Sequence, residues 1–191
     1  LSSSMKGLLV PICAYVVMAI SLNLTVGVMG ELSLGHAGFM SVGAYTAVIA
    51  AAAMQNTVTS GPVRLALAMA VGGVFAGLVS LIVVVPVLRL RGDYLAIVTL
   101  AFGEIIKNII NCLYVGLDET GLHMSMKDAA SLNMAADGKM LLQGPMGAVG
   151  IQKLSGLTAG FLLIMVALVV VLNFVNSRAG RAVMALRDNR I

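Results

Sequence analysis

Residues 89–115 read RLRGDYLAIVTLAFGEIIKNIINCLYV, and the fold turns on how this run is placed. It opens with a basic turn, Arg89, Arg91 and Asp93, and then runs apolar from Tyr94 to Val115. A bilayer-spanning helix takes about 20 apolar residues, so the run is long enough to cross. Embedded in it, Glu104, Lys107, Asn108 and Asn111 follow the i, i+3, i+4, i+7 spacing of one helical stripe, while Ile105, Ile106, Ile109 and Leu113 fall mostly off it. At about 1.5 Å per residue from Tyr94, Glu104 lies about 15 Å in, near the middle of a hydrocarbon core about 30 Å thick. An ionisable side chain at that depth costs on the order of 3 kcal/mol and normally faces a bundle interior or a water-filled path. Lys107 lies deeper, within snorkelling reach of the far interface. Three roles stay open for Glu104: an ion pair with Lys107 that only fixes packing, direct substrate contact, or gating.

Composition agrees with a lipid setting. Of the 191 residues, 60% are hydrophobic and 10% charged, where soluble domains carry about 25% charge; mean hydropathy is +1.02. The apolar runs are helix-length, without the roughly ten-residue alternation of an outer-membrane barrel. The expected fold is therefore an all-α integral membrane protein, a polytopic helical bundle of about five spans. The 21 glycines suit close helix packing. Cys13 and Cys112 both fall inside apolar runs and read as small hydrophobes, not as a disulfide or metal pair. No basic-aromatic pattern points to nucleic acid, and no catalytic, metal or cofactor set is expected.

Outward from the opening stretch, residues 8–29 form a candidate span with Pro11 near its start and Ser21, Asn23 and Thr25 near its end. Residues 30–36, GELSLGH, follow, and residues 37–54 resume as a run of small residues, Gly43, Ala47 and Ala51 being spaced for close helix contact. The segment 30–36 reads either as a surface loop or as an unwound, re-entrant break at membrane depth. Its lack of Lys and Arg favours the break. Residues 55–62 form a polar turn, and 63–88 a span in which Gly73 and Gly77 are expected to make a small-xxx-small contact face, with Pro86 kinking its end. Residues 116–155 read as a polar loop, 156–174 as the last span, and 176–191 as an Arg-rich end. The Arg89/Arg91 turn and that end are two spans apart and so share a side, the cytoplasmic one by the positive-inside rule; 55–62 and 116–155 then face outward.

Three stretches, SLNLTVGVMGELSLGHAGFMSVGAYTA (21–47), LRLRGDYLAIVTLAFGEIIKNIIN (88–111) and SRAGRAVMALRDNRI (177–191), resemble the LivM-type permease subunits of bacterial ATP-binding-cassette importers for branched-chain amino acids. The resemblance covers nearly the whole chain, which reads as the central portion of such a subunit, one transmembrane permease domain within a larger permease fold of the bacterial cytoplasmic membrane. It implies a multi-pass permease working by alternating access beside a sister permease subunit, two cytoplasmic ATP-binding subunits and an extracytoplasmic substrate-binding protein, with membrane lipid as solvent and an amino acid as substrate. No G-x-x-x-x-G-K-[ST] phosphate loop is present in the chain, as suits a subunit whose partners hydrolyse ATP.

The resemblance also implies roles for residues. The region of Glu31, Ser33 and His36 resembles one near the translocation path, where broken helix ends would offer backbone groups to an ammonium and a carboxylate. With Asn23, Glu104, Lys107 and Asn108, these form the expected path or gating set; for His36, ordinary packing is the competing reading. The stretch 177–191 resembles the cytoplasmic segment that docks a short helix onto the ATPase, which assigns Arg178, Gly180, Arg181, Arg187 and Asp188 to docking. Val183, Leu186 and Arg190 can share a face of that helix, and a plain positive-inside anchor is the alternative. Residues 144–153, GPMGAVGIQK, resemble a Gly/Pro stretch before the last span, for which docking of the binding protein and a plain surface loop are the two readings. Rival readings are a sugar or nucleoside permease of the same importer class, an ion-coupled secondary transporter, and a membrane scaffold.

Overall fold

The computed structural model describes residues 3–188 except 32, 56, 88–89, 91–92, 119–120, 133–137, 152–153 and 155, and of residues 3–6, 93, 129–130 and 186–188 the backbone alone. The Arg89/Arg91 turn and Arg190 therefore lie outside the described residues. Five helices are long and apolar enough to cross a membrane. They comprise α1 (Ser3–Asn23), which continues into a π-helical turn, Leu24–Met29; α2 (His36–Ala53); α3 (Gly61–Val87); α4 (Asp93–Asn111); and α5 (Leu157–Asn176). A short amphipathic helix, α6 (Arg178–Asp188), ends the described chain.

Few of the spanning side chains are buried, from 0 to 17% of each span. That is the pattern of a chain whose solvent is lipid, because hydrocarbon tails satisfy an exposed Leu or Val as well as a protein neighbour does. Helix contact then depends on how closely backbones approach, and small residues decide it.

By packing, the chain divides into two compact units, Leu34–Leu90 with Ile97–Leu154, and Leu1–Ser33 with Arg91–Ala96 and Ser155–Ile191. Within the first, α2 lies along α3. A Cβ placed on Gly72 would stand 2.5 Å from the Gly43 carbonyl oxygen and 2.9 Å from Ala47 Cβ, so the two backbones meet there. This corrects the expected face on α3. Gly73 and Gly77 look into open space, and the contact runs one position earlier, through Gly72 and Ala76, with Ala68 buried at the same spacing. One residue turns a helix by about 100°, enough to exchange the packed face for the bare one. Gly43 and Ala47 on α2 make the contact expected of them.

The same unit holds the largest departure from the sequence reading. Residues 116–155, expected as a loop, carry most of an antiparallel three-stranded sheet of order β2-β1-β3, with β1 Tyr114–Asp118, β2 Gly121–Ser125 and β3 Lys139–Gln143. Tyr114 pairs with Ser125 on one side and Gln143 on the other, and a bulge interrupts the β1–β3 ladder between Val115 and Gly116. Val115 and Leu142, 0% and 1% exposed, form its core. Consequently α4 stops at Asn111, and the YV at 114–115 that seemed to lengthen the span begins a strand instead.

In the second unit α1 packs on α5, with Cys13 against Gly160: a Cβ on that glycine would stand 2.9 Å from Cys13 Cβ. Ser177 separates α5 from α6. Its hydroxyl donates to the Phe174 carbonyl (2.6 Å) and accepts from the Gly180 N–H (3.1 Å), closing one helix and capping the next. α6 then returns against the π-helical turn 24–29.

Candidate functional site

The start of α2 crosses α4 on glycines. A Cβ on Gly35 would stand 2.5 Å from the Thr99 carbonyl oxygen, and one on Gly38 3.1 Å from Gly103 Cα. Buried Thr99 fixes the crossing further, its Oγ1 accepting from the Leu34 N–H at 3.2 Å, which satisfies a backbone donor just ahead of α2. Beyond this contact the helices diverge around a cavity of about 300 Å³, with Ser41 and Tyr45 on the α2 side and Glu104, Lys107 and Asn111 on the α4 side. Its remaining wall is apolar, supplied chiefly by Leu34, Leu100 and Ile110.

Glu104 and Lys107 form the expected i,i+3 ion pair. Lys107 Nζ lies 3.3 Å from Glu104 Oε2 and 3.4 Å from Oε1, and the side chains stay 57% and 63% exposed for glutamate and lysine. The stripe is thus real for three of its four members. Asn108 is exposed and stands outside the cavity wall, while Ile106, off the stripe, is buried against Gly38 of α2.

Other expected path residues fall elsewhere. His36 opens α2, half-buried and next to cavity-lining Ala37 and Gly38, but is not itself part of the wall. Asn23, Glu31 and Ser33 belong to the second unit. Asn23 is exposed at the end of α1, its amide oxygen packed over Gly27, and Glu31 N–H donates to the Thr25 carbonyl at 3.3 Å. Gly30 adopts the left-handed conformation (φ 71°, ψ 20°) that glycine tolerates without a Cβ clash, and regular helix resumes only at His36. Helix is thus interrupted between Met29 and His36, as both the loop and the break readings of this segment require.

Ser41 and Tyr45 escaped the sequence reading, although Gly38, Ser41 and Tyr45 repeat at helical spacing. Arg64 did too. It is buried near the start of α3, 8% exposed, and lines a smaller cavity of about 160 Å³ with Gln55, Lys139 and Leu141. Its signal was a lone arginine at the start of an otherwise apolar span. In α6, Arg178 and Arg181 are exposed and Gly180 is buried, close enough to the Phe174 carbonyl that a side chain has no room there. Arg187 and Asp188 close the helix, their side chains outside the described residues. Among the described residues no three His, Cys, Asp or Glu gather as metal ligands would.

A charged stripe inside a lipid-length helix thus faces a small cavity with polar and apolar walls, and comparison with known proteins gives the family. Residues 4–191 match the family described as branched-chain amino acid transport system / permease component. The chain is 40% identical over 96 residues to the high-affinity branched-chain amino acid transport system permease protein LivM of Escherichia coli (strain K12). It is 41% identical over 96 residues to the protein of the same name from Salmonella typhimurium. Each alignment covers 50% of this chain and 21% of the relative, and no solved structure matches. With nearly its whole length inside the family match and five helices fit to cross a membrane, the chain belongs to the permease family of branched-chain amino acid transport systems.

Proposed function

We propose that this chain is part of the transmembrane permease subunit of an ATP-driven importer that moves branched-chain amino acids across the bacterial cytoplasmic membrane by alternating access. The carrying observation is the Glu104–Lys107 pair, held within a spanning helix and turned to the α2–α4 cavity. Charges are tolerated in such a helix where they line a protein interior or a wet path. The names of the two LivM relatives supply the substrate class.

In this reading the sheet and the residues around it, 114–154, face outward towards a substrate-binding protein. The Arg-bearing α6 faces the cytoplasm and meets one of two ATP-binding subunits, and a sister permease completes the path. The chemistry of α6 suits a docking helix. Exposed Arg178 and Arg181 offer charge to a partner, while Ser177 and Gly180 hold the helix at a tight corner with α5.

The test is reconstitution of the full-length subunit with its sister, both ATPases and the binding protein in liposomes. Uptake of leucine, isoleucine or valine that needs ATP and the binding protein is expected. Uptake driven by an ion gradient without ATP would replace this reading with a secondary carrier, and uptake of a sugar alone would replace the substrate class.

A further inference from the structure

The cavity between α2 and α4 presents two opposite charges side by side against an apolar wall. A carboxylate can accept about four hydrogen bonds and a lysine ammonium can donate three. The Glu104–Lys107 pair, joined at 3.3 and 3.4 Å with both side chains more than half exposed, keeps capacity for further partners. Ser41 spends its hydrogen on the Gly38 carbonyl at 2.6 Å, which leaves its oxygen as an acceptor on the opposite wall.

The pair discriminates among ligands by charge balance. A cation that takes Glu104 strands Lys107, and an anion that takes Lys107 strands Glu104; an unpaired charge on a helix that crosses the bilayer is costly. A zwitterion avoids both penalties, because it brings an ammonium and a carboxylate on one carbon and can lie head to tail along the pair. The volume, about 300 Å³, sits at the small end of small-molecule sites, about 300–1,000 Å³, as suits a single amino acid. Leu34, Leu100 and Ile110 would receive an aliphatic side chain and leave a polar one without partners.

We infer that the α2–α4 cavity is a binding site for a zwitterionic aliphatic amino acid, with Glu104 on the α-ammonium, Lys107 on the α-carboxylate and Leu34, Leu100 and Ile110 around the side chain. This deepens the importer reading and rests on it. The pair is an exchangeable contact: it closes on itself when the site is empty and opens to the ligand when it is filled.

The test uses the complete importer in nanodiscs, carrying Cys13→Ala, Cys112→Ser and Ser41→Cys, with Ala37→Cys as the second reporter position should the first fail to assemble. The rate of labelling by a small water-soluble thiol reagent is measured with L-leucine, with leucinamide (a cation) and with 4-methylpentanoate (an anion). At L-leucine about nine times its dissociation constant, labelling should slow about tenfold, as 1 + [L]/Kd requires. The singly charged analogues should slow it far less. Adding Glu104→Gln with Lys107→Met should abolish protection while labelling without ligand persists. Equal protection by an analogue, no protection by L-leucine, or no labelling in the assembled importer because a partner fills the cavity would each overturn the site. ATP-driven uptake by the same cysteine-substituted importer, reconstituted in liposomes, is scored separately. If uptake persists without protection, the site fails and the importer reading stands; if the unmodified importer shows no ATP-driven uptake, that reading itself fails.

Discussion

Glu104 is the residue on which most of the chemistry converges, since it belongs to a spanning helix, holds Lys107 at 3.3 Å and faces the cavity. A Glu104→Gln substitution keeps size and hydrogen bonding but removes the charge. Losing a charge-assisted contact costs on the order of 1.5 kcal/mol, so uptake by the reconstituted importer is expected to fall about tenfold with assembly intact. Wild-type uptake in that variant would leave the pair a packing feature. This residue was legible in the sequence because a carboxylate in an apolar run is conspicuous and its i, i+3, i+7 companions are fixed by helix geometry. Ser41 and Tyr45 were not, because hydroxyls in a spanning helix commonly bond their own backbone, as Ser41 does to Gly38 and Thr46 to Val42. Only the position of α4 reveals that Ser41 also faces a cavity.

At the scale of elements, the helices were readable from length and hydropathy, and their ends moved by only a few residues. Which face each helix uses was not readable. Gly72 and Gly73 are equivalent as text, yet one abuts Gly43 and the other meets nothing within 4 Å. Gly72→Ala is therefore expected to destabilise the purified chain in detergent by about 1–3 kcal/mol, the usual cost of overpacking. Gly73→Ala should leave the melting temperature unchanged or slightly higher, given the better helix propensity of alanine. A reversed order of the two melting temperatures would refute the α2–α3 contact. The sheet escaped notice because its strands are five residues each and carry Gly116 and Gly121, which read as turn residues. For α6, the combined Arg181→Ala and Arg187→Ala substitutions are expected to reduce uptake severalfold while ATP hydrolysis continues, since the helix loses charge contacts of about 1.5–3 kcal/mol each. Unchanged transport in the double variant would reject the docking role.

For the whole molecule, the proposed topology, in which each of the five candidate spans crosses once, puts residues 114–154 and α6 on opposite sides of the membrane. Single cysteines at Met126 and Arg178, both exposed positions, should react with an impermeant maleimide from opposite faces of oriented vesicles, Arg178 from the cytoplasmic one. Labelling of both from one face would remove the orientation and the docking proposal together. The number of spans was legible because lipid imposes a length on every helix. The division into two packed units was not, since it depends on which helices pack closely, α2 on its neighbour α3 but α1 on the distant α5. In the turn 24–29 the Gly30 N–H reaches back five residues to Thr25, so the coil is wound more loosely than in the helix before it. A loose coil holds slack. Deleting Val26 should take that slack up, rotate Glu31 about the helix axis and shift the seat on which α6 rests, uncoupling ATP hydrolysis from uptake. Uptake that survives the deletion would mean that the slack is idle, and the six residues 24–29 no more than a bend in the chain.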